Sequence, residues 1–336
     1  PKQVAHAKAH APAFAALLAD VNPAAIVSRE ALAGLPVVRK SELLELQKGA
    51  RPFGGFAALK WGTGCARVFA SPGPIYEPEG ARKDYWRLAR AFYAAGFRAG
   101  DLVHNTFSYH FTPAGSMTET AAHALGCTVF PAGVGQTEQQ VAAMLDLRPD
   151  AYAGTPSFLR IILDKADELG VKIDSLTKAF VSGEAFPPSQ REALAARGIQ
   201  AFQAYATADI GLIAFETPAR EGLVLDEDIL LEIVRPGTGE PVAPGEVGEV
   251  VVTSFNPDYP LIRFGTGDLS AVLPGASPCG RSNTRIKGWL GRADQTTKVK
   301  GMFVHPGQVV AVLKRHPELG RGRLVVDNPD HIDRMT

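Results

Sequence analysis

The 336-residue sequence has no excess of either charge, since lysine plus arginine and aspartate plus glutamate number 35 each. Nothing in that balance recruits nucleic acid or an anionic membrane, so a charged ligand must be met by a local site. The sequence also lacks any run of about 18 apolar residues, which excludes a helix long enough to span a bilayer. Its opening, PKQVAHAKAHAPAF, has no basic-then-apolar pattern of a signal peptide. Cysteine is scarce: Cys65, Cys127 and Cys279 stand far apart without CxxC spacing, so neither a disulfide framework nor a zinc knuckle is implied, and a reducing cytoplasm is the expected compartment. His104, His110 and His123 are not spaced as ligands on one helix face, which speaks against zinc. No G-x-G-x-x-G follows a strand, because Gly133-Val134-Gly135 runs into Gln136, Thr137 and Glu138, and a nicotinamide-dependent dehydrogenase is set aside. Internal repeats and low-complexity tracts are absent too.

What is present is length enough for more than one core and a 46% hydrophobic content typical of globular chains. The first residue is Pro1 and the last stretch, 331–336, reads as an interrupted element, so residues are expected to be missing at both ends. The first forty residues read as helical, with Ser28 and Ser41 as N-caps. Glycine and proline crowd residues 51–80, leaving one short strand at 66–70. From 84 to 204 helical and strand patterns alternate. Helices are expected at 85–95, 116–125, 138–147, 157–169 and 188–197, and strands at 102–105, 128–131, 151–154, 178–182 and 199–204. That alternation predicts an α/β layer fold around a largely parallel sheet. After Tyr205 the segments 223–234, 248–254 and 268–273 turn β-rich, separated by Pro-Gly turns.

Three motifs stand out. Tyr205 to Gly211, YATADIG, follows an expected strand at the edge where open α/β sheets bind ligands, although a polar turn explains it as well. In Leu261 to Leu269, LIRFGTGDL, two glycines permit close backbone approach and Asp268 offers an acceptor for ribose hydroxyls, yet a β-turn accounts for it equally. Gly291-Arg292-Ala293-Asp294 places an arginine and an aspartate at a domain junction, where a hinge needs one charged contact and one rotatable backbone. Together, in this order, they resemble the Y-G-x-[ST]-E, R-T-G-D and G-R-x-D motifs of the adenylate-forming superfamily of acyl-CoA synthetases, luciferases and adenylation domains. Pro260-Leu261-Ile262-Arg263-Phe264, Cys279-Gly280-Arg281, Val304-His305-Pro306, Gly154-Thr155-Pro156-Ser157 and the segments 100–104 and 126–140 are similar to phenylacetate-coenzyme A ligases, so the resemblance covers nearly the whole chain.

The resemblance implies a large N-terminal α/β domain with a β-subdomain from about residue 206, over 1–291, and the start of a small mobile α+β lid over 292–336, hinged near Asp294. It implies an enzyme that activates an aryl or arylacetic acid with ATP as acyl-AMP and passes the acyl group to coenzyme A, with magnesium and as a homodimer. By position Tyr205 would stack on adenine, with Ala206 after it. Ser182, Gly183 and Glu184 would line the adenine slot, Asp268 would hold the ribose and Arg292 would reach the nucleotide. Thr207, Asp209 and Asp294 would be catalytic, with Asp209 at the magnesium position on a carboxylate one methylene shorter than the family glutamate. Tyr109, His110, Phe111, Gly133 and Gly135 would face the acyl substrate, although a packed aromatic cluster also explains 109–111.

The sequence departs from the family at residues 67–78, RVFASPGPIYEP, aligned with S-S-G-T-T-G-K-P. A phosphate cradle needs successive N–H donors, hydroxyls and a lysine. Pro72, Pro74 and Pro78 have no N–H, Glu77 and Glu79 would repel a triphosphate, and only Ser71 and Gly73 match; Gly62-Thr63-Gly64-Cys65 reads as a turn. Gly265 stands at the arginine of R-T-G-D, Ala206 and Ala208 replace a glycine and a hydroxyl, and Ser277 replaces a second cysteine near Cys279. The family's adenylation lysine would lie beyond Thr336. A second reading therefore stays open: a non-adenylating homologue that binds AMP, acyl-AMP or an aromatic acid.

Overall fold

A computed structural model describes residues 1–336 except 61, 294–296, 300–301, 305–311, 321 and 329–333, so Asp294, Lys300-Gly301 and His305-Pro306 lie outside the described residues. The chain opens with α1 (Lys2–His10), α2 (Pro12–Leu17), α3 (Arg29–Ala33), β1 (Val38–Arg39) and α4 (Lys40–Gly49). Ser28 caps α3 by accepting from the Ala31 N–H at 3.2 Å. Ser41 is no cap but an internal residue of α4. Arg39 is held extended by parallel pairing with Gly265, so the helix starts immediately after it, and Glu42 bonds back to the Arg39 N–H.

Where one strand was expected at 66–70, a hairpin forms from β2 (Cys65–Ser71) and β3 (Ile75–Gly80). Pro78 sits opposite Val68 in this two-stranded ribbon, where the outer side of each strand has no strand partner and a missing N–H is tolerated. The helix expected from residue 85 is α5 (Ala89–Ala94) and starts four residues later. Asp84 (φ 48°) and Arg87 (φ 66°) are left-handed, and the Arg87 guanidinium is bound to Asp226 at 2.5 Å and to the Ile210 and Leu212 carbonyls. Tertiary contacts override helix propensity in that turn.

The alternation then follows the expected order: β4 (Leu102–Asn105), α6 (Ala114–Leu125), β5 (Thr128–Pro131), α7 (Thr137–Leu147), β6 (Ala151–Gly154), α8 (Pro156–Glu168), β7 (Lys178–Val181), α9 (Pro188–Ala196) and β8 (Gln200–Thr207). Strands β5, β4, β6, β7 and β8 are parallel neighbours in that order. Alternate residues of β6 and β7 enter different cores. Ala151, Ala153 and Phe180 pack with the α5–α6 side, whereas Tyr152, Ala179 and Val181 pack with the α7–α9 side. Helices thus cover both faces, which is why these short strands are apolar throughout.

The sheet continues antiparallel through β9 (Gly211–Phe215) and β10 (Leu223–Leu225). β11 (Ile229–Val234), β12 (Gly248–Ser254) and β13 (Phe264–Ser270) form a second sheet with β1, and β14 (Val272–Leu273) and β15 (Arg285–Ile286) close the far edge of the first. Two expectations shift here. Tyr205 to Thr207 are the last residues of β8 rather than a turn after it, and the strand expected from Asp268 begins earlier, at Phe264, so Gly265 and Gly267 lie inside β13 rather than in a turn before it.

Candidate active site

The strand order reverses at β4: the chain lays β5 on one side of it and β6 on the other. A crevice opens at the carboxyl ends of strands where such a reversal occurs. Asn105 and Gly154 end strands at that edge, Ser182 and Gly183 follow β7, and Tyr205 to Thr207 end β8.

The three sequence motifs meet here through hydrogen bonds. The Tyr205 hydroxyl donates to Asp268 Oδ2 at 2.8 Å, and Arg292 Nη1 donates to Asp268 Oδ1 at 3.0 Å. Trp289 Nε1 donates to the same Oδ1 at 3.0 Å. Burial, then the neighbouring Asp268 charge, drives the Tyr205 phenol well above its ordinary range, so it remains a donor. An ionised carboxylate has about four acceptor positions, and Asp268 spends three on these donors, leaving one acceptor position over. Gly267 allows this approach, since a Cβ there would stand 2.7 Å from Arg292 Nη2.

Ser182 Oγ donates to the Ala204 carbonyl at 2.8 Å, Gly183 turns left-handed (φ 86°), and Glu184 Oε1 accepts from the Ser157 N–H at 2.6 Å, at the first turn of α8. Ala206 pairs with Leu212 in the β8–β9 ladder. Thr207 Oγ1 accepts from the Ile210 N–H at 3.2 Å and shapes the turn that carries Asp209.

Asp209 is buried, with 3% of its surface exposed, and its Oδ2 is ion-paired to Lys40 Nζ, from the first turn of α4. Its Oδ1 has no hydrogen-bond partner among the described residues. Lys40 carries no motif of its own and lies 169 residues from Asp209, so no signal in the sequence marks it for the site. Burial opposes the Lys40 charge, but Asp209, Glu77 and Asp268 outweigh it and hold its pKa up. Glu77, fully buried, is pushed up to about 8 by burial and by the Asp209 charge. Among the described residues, no group of three or more His, Cys, Asp or Glu is placed to hold a metal ion. The orphan Asp209 Oδ1 does suit magnesium, which takes one or two carboxylates and completes its shell with phosphates and water.

The segment aligned with the phosphate loop offers little to a phosphate. The Ser71 N–H donates to Glu77 Oε2 at 3.1 Å and its hydroxyl donates to Glu77 Oε1, so both Ser71 donors are spent, while Gly73 forms the hairpin turn between two prolines. Glu79 does not stand ready to repel a triphosphate. It is buried and accepts from Arg67 at 2.5 Å, Trp86 Nε1 at 2.8 Å and Ser116 Oγ at 2.7 Å, which ties the hairpin to α6.

Of the residues expected at the acyl group, Tyr109 is half-buried and its hydroxyl accepts from Asn105 Nδ2 at 2.8 Å. Phe111 is not packed with it: at φ 62° its side chain is 82% exposed, while its carbonyl accepts from the Ala70 N–H on the hairpin. His110 is exposed, with its N–H on Ser108 Oγ. Gly133 (φ 69°) and Gly135 (φ 78°) form a left-handed turn after β5, and the Gly133 N–H donates to the Asn105 carbonyl at 3.0 Å. Asn105 therefore joins Tyr109 to the glycine turn.

The profile of the family described as "AMP-binding enzyme" matches residues 83–256. The chain is 33% identical to the phenylacetate-coenzyme A ligase of Aromatoleum evansii over 332 residues, 94% of this chain and 73% of that protein. It is also 33% identical to the phenylacetate-coenzyme A ligase of Thermus thermophilus over 333 residues, 94% of this chain and 74% of that one. Its fold matches that of 2-hydroxyisobutyryl-CoA ligase in complex with 2-HIB-AMP and CoA, with a TM-score of 0.89 at 24% identity over 99% of this chain and 75% of the other.

Proposed function

This chain belongs to the AMP-binding enzyme family, among the phenylacetate-coenzyme A ligases, and on that premise we propose that it activates an aryl or arylacetic acid as acyl-AMP and transfers the acyl group to coenzyme A. The observation that carries this reading is the hydrogen-bonded convergence of Tyr205, Asp268 and Arg292 at the strand edge. Asp268 holds the ribose with its remaining acceptor position, the Tyr205 ring flanks adenine opposite Ser182–Glu184, and Arg292 steadies Asp268. A carboxylate oxygen of the acid attacks the α-phosphorus of ATP as the bond to pyrophosphate breaks. The coenzyme A sulfur then attacks the acyl carbon, AMP leaves, and the thiol proton passes to water.

Magnesium, when bound, neutralises developing phosphate charge, and Asp209 would hold it through Oδ1. We extend the proposal to a division at 1–291 and 292–336 with a hinge near Asp294, to a cytoplasmic location, which suits three unpaired cysteines, and to a homodimer. Pyrophosphate release with a panel of aryl and arylacetic acids, followed by thioester formation with coenzyme A, tests the reading. Release with none of the acids refutes it.

One observation favours a second reading, that of a homologue that binds AMP or acyl-AMP without ATP chemistry. Both Ser71 donors are committed to Glu77, and Lys40 is committed to Asp209. Calorimetry with AMP and with magnesium-ATP separates the two, because the second reading requires AMP binding without ATP binding.

A further inference from the structure

His104 and Gln140 are buried polar residues to which neither the motifs nor the reaction gives a part. Gln140, in α7, donates through Nε2 to the Gly133 carbonyl at 3.1 Å and the Gly135 carbonyl at 3.1 Å, with the Ala132 carbonyl at 3.5 Å. Carbonyls only accept, so the amide nitrogen must face them and Oε1 must face the other way. There it meets His104 Nε2 at 2.6 Å. The imidazole must therefore carry its proton on Nε2, and its Nδ1 stands buried without a partner. Burial lowers the His104 pKa, which keeps the ring neutral.

An aliphatic side chain would fill the His104 position, against Phe130 at a ring separation of 5.2 Å, without burying an orphan acceptor. What imidazole adds is the one N–H that fixes the Gln140 amide. The turn that Gln140 holds needs fixing: Gly133 and Gly135 are left-handed at no steric cost and so leave the turn free to move, and the non-glycine Gln136 (φ 50°) is left-handed too, which persists only when its surroundings hold it. Strand alternation completes the arrangement. His104 and Asn105, neighbours at the end of β4, point to opposite sides, one to Gln140 and the turn, the other to Tyr109 and the Gly115 carbonyl. Between the two pinned carbonyls Val134 is 59% exposed, so the turn presents an apolar side chain.

We infer that Gln140, oriented by His104, is the positioning residue for the acyl pocket: the pair holds the 133–135 turn in place and so sets which carboxylic acids the protein accepts, with a preference for acids that bring an apolar group to Val134. This rests on the ligase reading above and on the resemblance that sets Gly133 and Gly135 against the acyl substrate. Neither residue touches the reacting atoms, so the effect is on acid binding rather than on the chemical step.

The test measures acid-dependent pyrophosphate exchange for wild type and for the variants Gln140→Met, His104→Leu and His104→Gln, using phenylacetate, its ring-hydroxylated forms and short aliphatic acids. In Gln140→Met and His104→Leu, KM for phenylacetate should rise by about tenfold, the scale of one lost buried hydrogen bond, with KM for ATP unchanged and a flatter ranking of acids. His104→Gln restores a donor and should recover most of the loss. Nitrogen-15 shifts of His104 should report the neutral Nε2–H tautomer, a readout independent of how any variant folds. Unchanged KM for every acid in the variants, an equal fall of kcat with all acids, or an Nδ1–H tautomer overturns the inference and leaves the ligase reading standing. A wild-type protein without exchange for any acid removes both.

Discussion

Lys40 Nζ donates to Asp209 Oδ2, joining the first turn of α4 to the turn after β8 across 169 residues of chain. The Lys40 side chain is 22% exposed and that of Asp209 fully buried, and Glu77 lies within electrostatic reach of both. The N-terminal helices are thereby tied electrostatically to the candidate active site through the buried Asp209 carboxylate.

Removing that cation leaves a buried carboxylate uncompensated. Lys40→Met is expected to destabilise the fold by about 3 kcal/mol in urea denaturation at pH 7. Adding Asp209→Asn should recover a substantial part of the loss, since it removes the stranded charge. A double variant no more stable than the single one would show that Lys40 acts through packing instead.

Tyr205→Phe deletes one hydrogen bond to Asp268 and keeps the ring. AMP affinity should fall by about three- to tenfold, in line with roughly 1 kcal/mol for such a bond. Asp268→Ala strands Tyr205, Trp289 and Arg292 together and should cost more than the tyrosine change. Isothermal titration with AMP ranks the two variants, and equal affinities in all three proteins would remove Asp268 from the nucleotide site.

Burial pushes the Asp84 carboxyl up to about 6, and its Oδ1 has no partner, whereas Oδ2 accepts from the Ala89 N–H at 3.1 Å. Its folded pKa exceeds its unfolded value of 3.8. Its contribution to stability is thus fully present below about pH 4 and is lost as pH rises through about 6. Asp84→Asn keeps an acceptor for Ala89 and suits the left-handed φ of 48°. Its advantage over wild type should therefore grow by about 2–3 kcal/mol between pH 4 and pH 8 in chemical denaturation. A pH-independent difference would contradict the assignment.

The Cys279 thiol is lowered to about 6. Burial opposes this, but hydrogen bonds from Ser277, the Arg281 N–H, Thr217 and the Arg281 guanidinium outweigh it. Alkylation by iodoacetamide should titrate with a midpoint near pH 6 at Cys279, and Arg281→Ala should move that midpoint upward. Mass spectrometry separates Cys279 from the buried Cys127, whose thiol burial pushes up.

The sequence alone determined the parallel α/β core, because apolar strand runs and amphipathic helices repeat at local spacing, and strands β5, β6 and β12 stand at their expected bounds or within a residue of them. It also pointed to the three motifs of Tyr205, Asp268 and Arg292, through their resemblance in order to the motifs of the adenylate-forming superfamily, since each by itself reads equally well as a turn. Contacts between distant segments decided the rest. Arg87 delays the start of α5 by reaching Asp226 and the 210–212 backbone, and Glu77 and Glu79 turn an apparent repulsive stretch into a buried, bonded hairpin. Lys40 finds Asp209, and Gln140 finds His104 and the glycine turn, only once the sheet exists. Pairings of this kind depend on burial and on which side chains face one another across the fold, and a polar residue in sequence carries no mark of the partner that will satisfy it.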